Sequence, residues 1–436
     1  MNNFQTILIA VFLAFFIFGV LIFSGILKLG GDVVNTPQGN VVVWGTLNNP
    51  DVYKILDNLN QTNPNLNITY VVKPEATYEQ SLIESFADGT GPDLFIMKSN
   101  MINRFEKFVY KTPFANYSER LFRDTFIDGA DIYLANDGII GMPLVVDPMV
   151  MYYNKNLFKN EGLSQVPQYW SDLFNLNSKL TKKKDDGTIL QSMIALGRFD
   201  NITHSKDILA TLFIQSGNTI VKRDNSGTTN PYVSTLNDNP SSLVVSPVAA
   251  VLNFFVEFSN PSDSAYSWNR SLPNSIDSFT GGKLAMYIGR ASELFKIESM
   301  NPNLSFDITQ VLQTKGVSTK STYGDIYAVS VNKKSANLTA SVGVSNLLTN
   351  SDNASSFAKA LSLPPVLRSL LAVSPTDLYL STFFNSAVIS KSWIDPNSNS
   401  SDIIFNQLIQ NILTNNSSVE SAINKAKDQF DQILNK

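Results

Sequence analysis

Asp147 and Arg290 are the polar side chains best placed, by local pattern, to grip a ligand. Asp147 interrupts an apolar run, and Arg290 closes the strand pattern Ala285 to Gly289. Around them stand aromatic residues near strand ends or loops: Trp44, Tyr153, Trp268, Tyr287, Tyr323, Tyr327 and Trp393. A sugar ring offers axial C–H patches to an aromatic face, and its hydroxyls need planar polar partners such as Asp, Asn and Arg. Aromatics with a few such groups therefore suit a saccharide cleft. For each aromatic the competing reading is core packing. For Asp147 it is a turn residue bonding its own backbone, and for Arg290 a salt bridge between lobes.

Other candidate chemistry fails on its own pattern. The single histidine, His204, has no positioned nucleophile or orienting acid nearby, so it reads as a surface residue. Asp185-Asp186-Gly187 lacks the alternating ligands and closing Glu of a calcium loop and reads as a turn. Gly281-Gly282-Lys283 lacks the preceding strand and the spacing of a phosphate loop. No metal or cofactor is expected. A glycosidase would need two carboxylates facing one bond at roughly 5–9.5 Å, and Asp147 has no evident partner.

The elements that must position these residues centre on 138–158, which reads Gly-Ile-Ile-Gly-Met-Pro-Leu-Val-Val-Asp-Pro-Met-Val-Met-Tyr-Tyr-Asn-Lys-Asn-Leu-Phe. Both flanks of Asp147-Pro148 are apolar and β-branched. Pro148 has no backbone donor and biases Asp147 away from helix, so the ladder is predicted to stop there. A chain that leaves one sheet and enters another at such a point is a hinge between two lobes. Before it, Val41–Gly45, Leu66–Val72 and Asp93–Met97 read as strands. They alternate with helical patterns at Val52–Leu59 and Tyr78–Phe86, which implies parallel pairing with ligands outside the strand carboxyl ends. After it the pattern is mostly helical, with a strand at Tyr323–Val331.

The chain has 436 residues, 43% of them hydrophobic, more than one core usually organises. Net charge is −4 with no extended basic block, which disfavours nucleic-acid binding. There are no cysteines, so disulfides, thiolate nucleophiles and a lipidated Cys anchor are excluded. Ile7 to Leu27 is uncharged and apolar or small apart from Ser24, long enough to span a bilayer as an uncleaved anchor. Residues 28–39 then form a short tether.

The hinge segment resembles that of the extracellular solute-binding proteins serving ABC importers, in the maltose-binding-like branch (family 1). That pattern, roughly G-x-x-x-x-P-x-x-x-[DE]-x-x-x-x-x-Y-N-K, is met by Gly138, Pro143, Asp147, Tyr153, Asn154 and Lys155. Asn63–Val72, Tyr78–Phe86 and Gly89–Phe95 are similar to the family's opening βαβ units. Val166–Leu173 and Phe279–Arg290 are similar to its later landmarks. The resemblance implies an α/β, bilobal periplasmic-binding-protein-like fold with three hinge crossings. It places 40–146 plus 281–329 in lobe one, and 149–279 plus 332–436 in lobe two. It further implies a monomeric, non-enzymatic receptor, its body outside the cell or periplasmic, that captures a small solute and passes it to a permease. A sugar or oligosaccharide is the expected solute, with Trp44, Asp147, Tyr153, Trp268, Tyr287, Arg290, Tyr323 and Trp393 as contacts. The alternatives are a cell-surface glycosidase and a non-transport glycan-binding or adhesion protein.

Overall fold

A computed structural model describes residues 37–224, 231–239 and 244–435. The expected anchor, Ile7 to Leu27, lies outside them. No helix among the described residues is long and apolar enough to cross a membrane.

The fold is an α/β, two-lobed one built on a sheet of ten strands. These are β1 (Gly39–Gly45), β2 (Leu66–Val72), β3 (Leu94–Lys98), β4 (Met142–Asn154), β5 (Lys182–Lys183), β6 (Ile189–Ile194), β7 (Leu284–Arg290), β8 (Phe306–Gln310), β9 (Thr322–Val331) and β10 (Ser390–Lys391). The main path runs β2-β1-β3-β9-β4-β7-β6-β5, with β8 paired to β4 and β10 to β9. The helices used below are α1 (Pro50–Thr62), α2 (Tyr78–Asp88), α3 (Ser205–Gln215), α4 (Pro247–Glu257), α5 (Leu338–Leu348), α6 (Ser351–Leu361), α7 (Ser398–Leu413) and α8 (Val419–Leu434).

Lobe one begins as the alternating pattern dictates. β1 pairs in parallel with β2 and β3. Val41 and Val43 point into the core, as do Leu66 and Ile68 of β2. Asn49 caps α1 by accepting the Asp51 N–H, with Pro50 at the first turn, where its missing donor costs nothing. α2 ends at Gly89, whose φ of +72° is the left-handed conformation that a helix stop favours.

The hinge strand departs from expectation. β4 does not break at Asp147-Pro148 but runs as one strand of 13 residues, all buried except half-buried Tyr153. What changes there is its neighbour. Met142 to Pro148 pair antiparallel with β9, the last pair being Gly324↔Pro148. Met149 to Tyr153 pair with β7, and Val150 to Asn154 with β8. The proline thus removes a donor where one ladder gives way to the next, which a buried strand tolerates better than a loss in mid-ladder.

Two further corrections concern the lobe limits. β7 pairs with β6 and with the second half of β4, so residues 284–290 belong to lobe two. The strand returning to lobe one is β9, whose Tyr327 to Val331 pair with β3. α5 then packs on β1 and β9, and α6 on α1, so residues 338–361 belong to lobe one. There the Asn49 side chain donates to the Ala360 carbonyl at 2.6 Å. α7 and α8 pack on each other and on α4, in lobe two.

Candidate functional site

The changeover in β4 sets side chains of both lobes against one another. β7 delivers Arg290 into this space. Its Nε and Nη2 donate to Asp207 Oδ2 of α3 at 3.1 and 2.6 Å, and its Nη1 donates to Asp325 of β9. One guanidinium therefore ties a lobe-two helix to the strand that serves lobe one. Asp325 also accepts from the Tyr323 hydroxyl at 2.5 Å. Asp147 accepts from the Ser292 backbone N–H at 3.0 Å and its Oγ at 2.6 Å, which fixes the turn after β7 to the hinge strand.

Beneath Arg290 lies a second layer. Glu293 accepts from the Arg290 N–H at 3.1 Å and the Tyr287 hydroxyl at 2.8 Å. His204 sits between two carboxylates, its Nδ1 3.4 Å from Asp207 Oδ2 and its Nε2 3.1 Å from Glu293 Oε2. The surface reading of His204 is thereby corrected: its side chain is 21% exposed and carries a φ of +59°. Gly289 is required here. A Cβ would stand 2.4 Å from the Tyr287 ring and 2.5 Å from Glu293 Oε2.

Burial and charge pull these groups in opposite directions. Burial pushes the Asp207 carboxyl up, but Arg290, His204 and Lys206 outweigh it and hold it well below the usual range. Burial pushes His204 down, yet Asp207 and Glu293 raise it to about 9. For Asp147 burial prevails over Arg290 and Ser292, and its pKa is raised. At neutral pH the network is thus a set of interlocked charges, with Asp207 and His204 both ionised.

Further out, the lobes meet again. Glu106, just past β3 in lobe one, accepts from Arg223 Nη1 at 2.7 Å and from the Tyr232 hydroxyl, both in lobe two. The Asn103 side chain donates to the Pro396 carbonyl at 3.2 Å. At the carboxyl end of β3, Lys98 pairs with Glu75 and lies 5.2 Å from the Tyr327 ring centroid. Trp44, at the carboxyl end of β1, is half-buried with Lys73 Nζ 3.7 Å above its ring.

Of the residues expected to contact ligand, Asp147, Arg290, Tyr287 and Tyr323 come together in the hinge network, and Trp44 lies on the rim of lobe one. Trp268 does not reach the cleft. It is 0% exposed, its indole N–H given to Asn201 Oδ1 at 3.0 Å. Trp393 is wedged among Phe405 and Phe430, each 6.0 Å away between centroids. Tyr153 lies at the far end of β4 beside Asp307 and Phe158. Asp207, Asp325, Glu293 and Glu106 were missed. Asp207 lies three residues after His204 on one helix start, a local cue, but the fold alone brings it to Arg290 and brings the other three to their bases.

Two α/β lobes joined by shared strands, with charged groups of both lobes facing across the join, define a hinged binding protein. Residues 45–361 match the model of the bacterial extracellular solute-binding protein family, and the chain belongs to that family. It is 22% identical over 306 residues to the galactooligosaccharide-binding protein of Bacillus subtilis, covering 70% of this chain and 67% of that one. Binding proteins of Brucella abortus and Brucella suis are 29% identical over 112 residues, so the match spans 26% of this chain and only 27% of theirs. Among solved structures, the cyclic α-maltosyl-1,6-maltose binding protein of Arthrobacter globiformis superposes with a TM-score of 0.74 at 16% identity, over 91% of this chain and 99% of that one. The sugar-binding protein of Xanthomonas citri gives 0.72 at 15% identity, over 91% and 98%. These likenesses support the shared fold. The family and these neighbours are binding proteins, not enzymes.

Proposed function

We propose that this protein is a receptor that traps a small polar solute, a sugar or oligosaccharide, by lobe closure and delivers it to an ABC importer. The observation that carries the reading is the partner change in β4 at Pro148, bracketed by Asp147, Arg290 and Asp325. Closure must be driven by contacts a ligand makes with both lobes at once, since a ligand held by one lobe shifts nothing. Here charged groups of both lobes meet at the join, so a change in the angle between the lobes alters their contacts. The solute class rests on the sugar-binding relatives and on Trp44, a partly buried aromatic at a strand's carboxyl end of the kind that packs on a pyranose. The protein acts as a monomer, its body outside the membrane and tethered through Ile7 to Leu27. A tether holds the receptor near its permease and raises the local concentration of loaded receptor.

The test is a thermal-shift screen of the chain against neutral and acidic oligosaccharides, amino acids and peptides, followed by small-angle scattering. A true solute raises the unfolding midpoint with concentration, as mass action requires, and reduces the radius of gyration. A midpoint that responds only to amino acids or peptides would overturn the sugar assignment. A ligand that leaves the scattering profile unchanged would overturn closure.

A further inference from the structure

The charges of this molecule are sorted between the two levels of its inter-lobe space. At the hinge the acids Asp147, Asp207, Asp325 and Glu293 outnumber Arg290 and His204. Further out, beside the Glu106 clasp, the balance reverses. A pocket of about 950 Å³ opens there between the lobes. Lobe one lines it with Arg104, Lys107, Lys111 and Lys333, facing Tyr232 and Asn397 of lobe two. Arg223 adds a positive charge, while Glu106, Asp137 and Glu79 are the acids that face these bases. The bases exceed the acids by two, on a chain whose own net charge is −4.

Among the lining bases, Arg104 has unused hydrogen-bonding capacity. Its Nη1 is engaged by Glu79. Its Nε and Nη2 are buried and find no acceptor among the described residues. Those two nitrogens share one edge of the guanidinium, the edge that takes two oxygens of a carboxylate, sulfate or phosphate in parallel. A buried donor without an acceptor costs roughly 1–3 kcal/mol. An anion seated on that edge would lift the cost. Lys107 and Lys333 are exposed on the same wall and reinforce the field.

We propose that this pocket receives the anionic group of an acidic solute, so that the receptor prefers a charged saccharide to its neutral counterpart. The inference rests on the receptor reading above and narrows its substrate class. Because lobe one supplies the bases and lobe two the facing wall, an anion held there is shared by both lobes and favours closure.

Isothermal titration of the full chain tests it, with trigalacturonate, a sulfated trisaccharide and a hexose phosphate each set against its neutral parent sugar. At least one acidic ligand should bind tenfold or more tightly than its parent, with an affinity that falls as salt rises. Arg104→Gln should erase most of that preference. Lys333→Gln, at an exposed position that folding does not depend on, should reduce it severalfold. Neutral sugars binding as well as acidic ones, or Arg104→Gln and Lys333→Gln both leaving the preference intact, would overturn the anion site while sparing the receptor. Failure of every saccharide, neutral or acidic, would overturn both readings.

Discussion

Replacing Arg290 with Met keeps most of the side chain's length and removes its charge. In the native protein that charge is shared between Asp207, at 2.6 and 3.1 Å, and Asp325. Both carboxylates are 5% or less exposed, so water cannot take the place of the guanidinium. Breaking a buried pair by deleting one partner costs about 3–5 kcal/mol, since the remaining charge stays buried. For a chain of this size that corresponds to a fall in unfolding midpoint on the order of 3–6 °C. The pH dependence identifies the cause. In the native protein the Asp207 carboxyl is depressed, so its contribution is present above the ordinary Asp value near 4 and is lost as pH falls through the folded value. Without Arg290, burial acts on the same carboxyl with less opposition, and the folded state takes up a proton more readily. The gap between native and variant should therefore be widest near pH 7 and narrow towards pH 4. Scanning calorimetry at the two pH values measures it, and adding Asp207→Asn to the variant should recover part of the loss. A deficit below about 1 kcal/mol at pH 7, or one that does not change on acidification, would refute the argument.

The other expectations are briefer. His204 is raised to about 9, so its contribution is fully present below its unfolded value near 6.5 and disappears as pH rises through 9. That is roughly 2–4 kcal/mol, and His204→Asn should flatten the decline of the midpoint between pH 7 and pH 10. Glu106→Gln weakens the contacts with Arg223 and Tyr232, bonds to a charged group typically worth about 1.5–3 kcal/mol. It should speed ligand release in stopped-flow measurements and shift scattering towards the open form, and unchanged release would count against the clasp. Trp268→Ala should cost about 3–5 kcal/mol of stability as a cavity in the core, whereas Trp44→Ala, at a partly buried position on the core's edge, should cost less. The Trp44 variant should instead weaken sugar binding by roughly 0.5–1.5 kcal/mol.

Much of the fold was legible because it is written in local periods. The short apolar strand patterns of β1 and β2, the helical spacing of Val52, Leu56 and Leu59, and the Gly89 stop all correspond to elements that form as read. Lobe limits were less legible, since β7 has the composition of a buried strand and would suit either sheet. Its neighbours β6 and β4 decide, and they lie 90 and more residues away in sequence. The tryptophans misled for a related reason. Trp393 sits in a polar stretch, yet Phe405 and Phe430 from α7 and α8 close over it. Neither helix announces that contact.

The acidic residues teach the opposite lesson about Asp147-Pro148. Sequence alone offered an acceptor for ligand or a turn bonding itself, and the structure shows a third use, a brace holding the turn that aims Arg290. A proline in the middle of a buried strand ought to weaken it, and the strand nonetheless stays whole. The reason is that β4 has a different neighbour on each side of Pro148, so the proline stands between two ladders and not within one. A strand made of two independent ladders can bend where they meet without breaking either. The same residue that disrupts pairing therefore marks where rotation costs least, and Asp147 and Arg290 stand within reach of that axis. Lobe closure then follows from where the hydrogen bonds change hands, and ligand contacts made on both sides of that point are what can bias it.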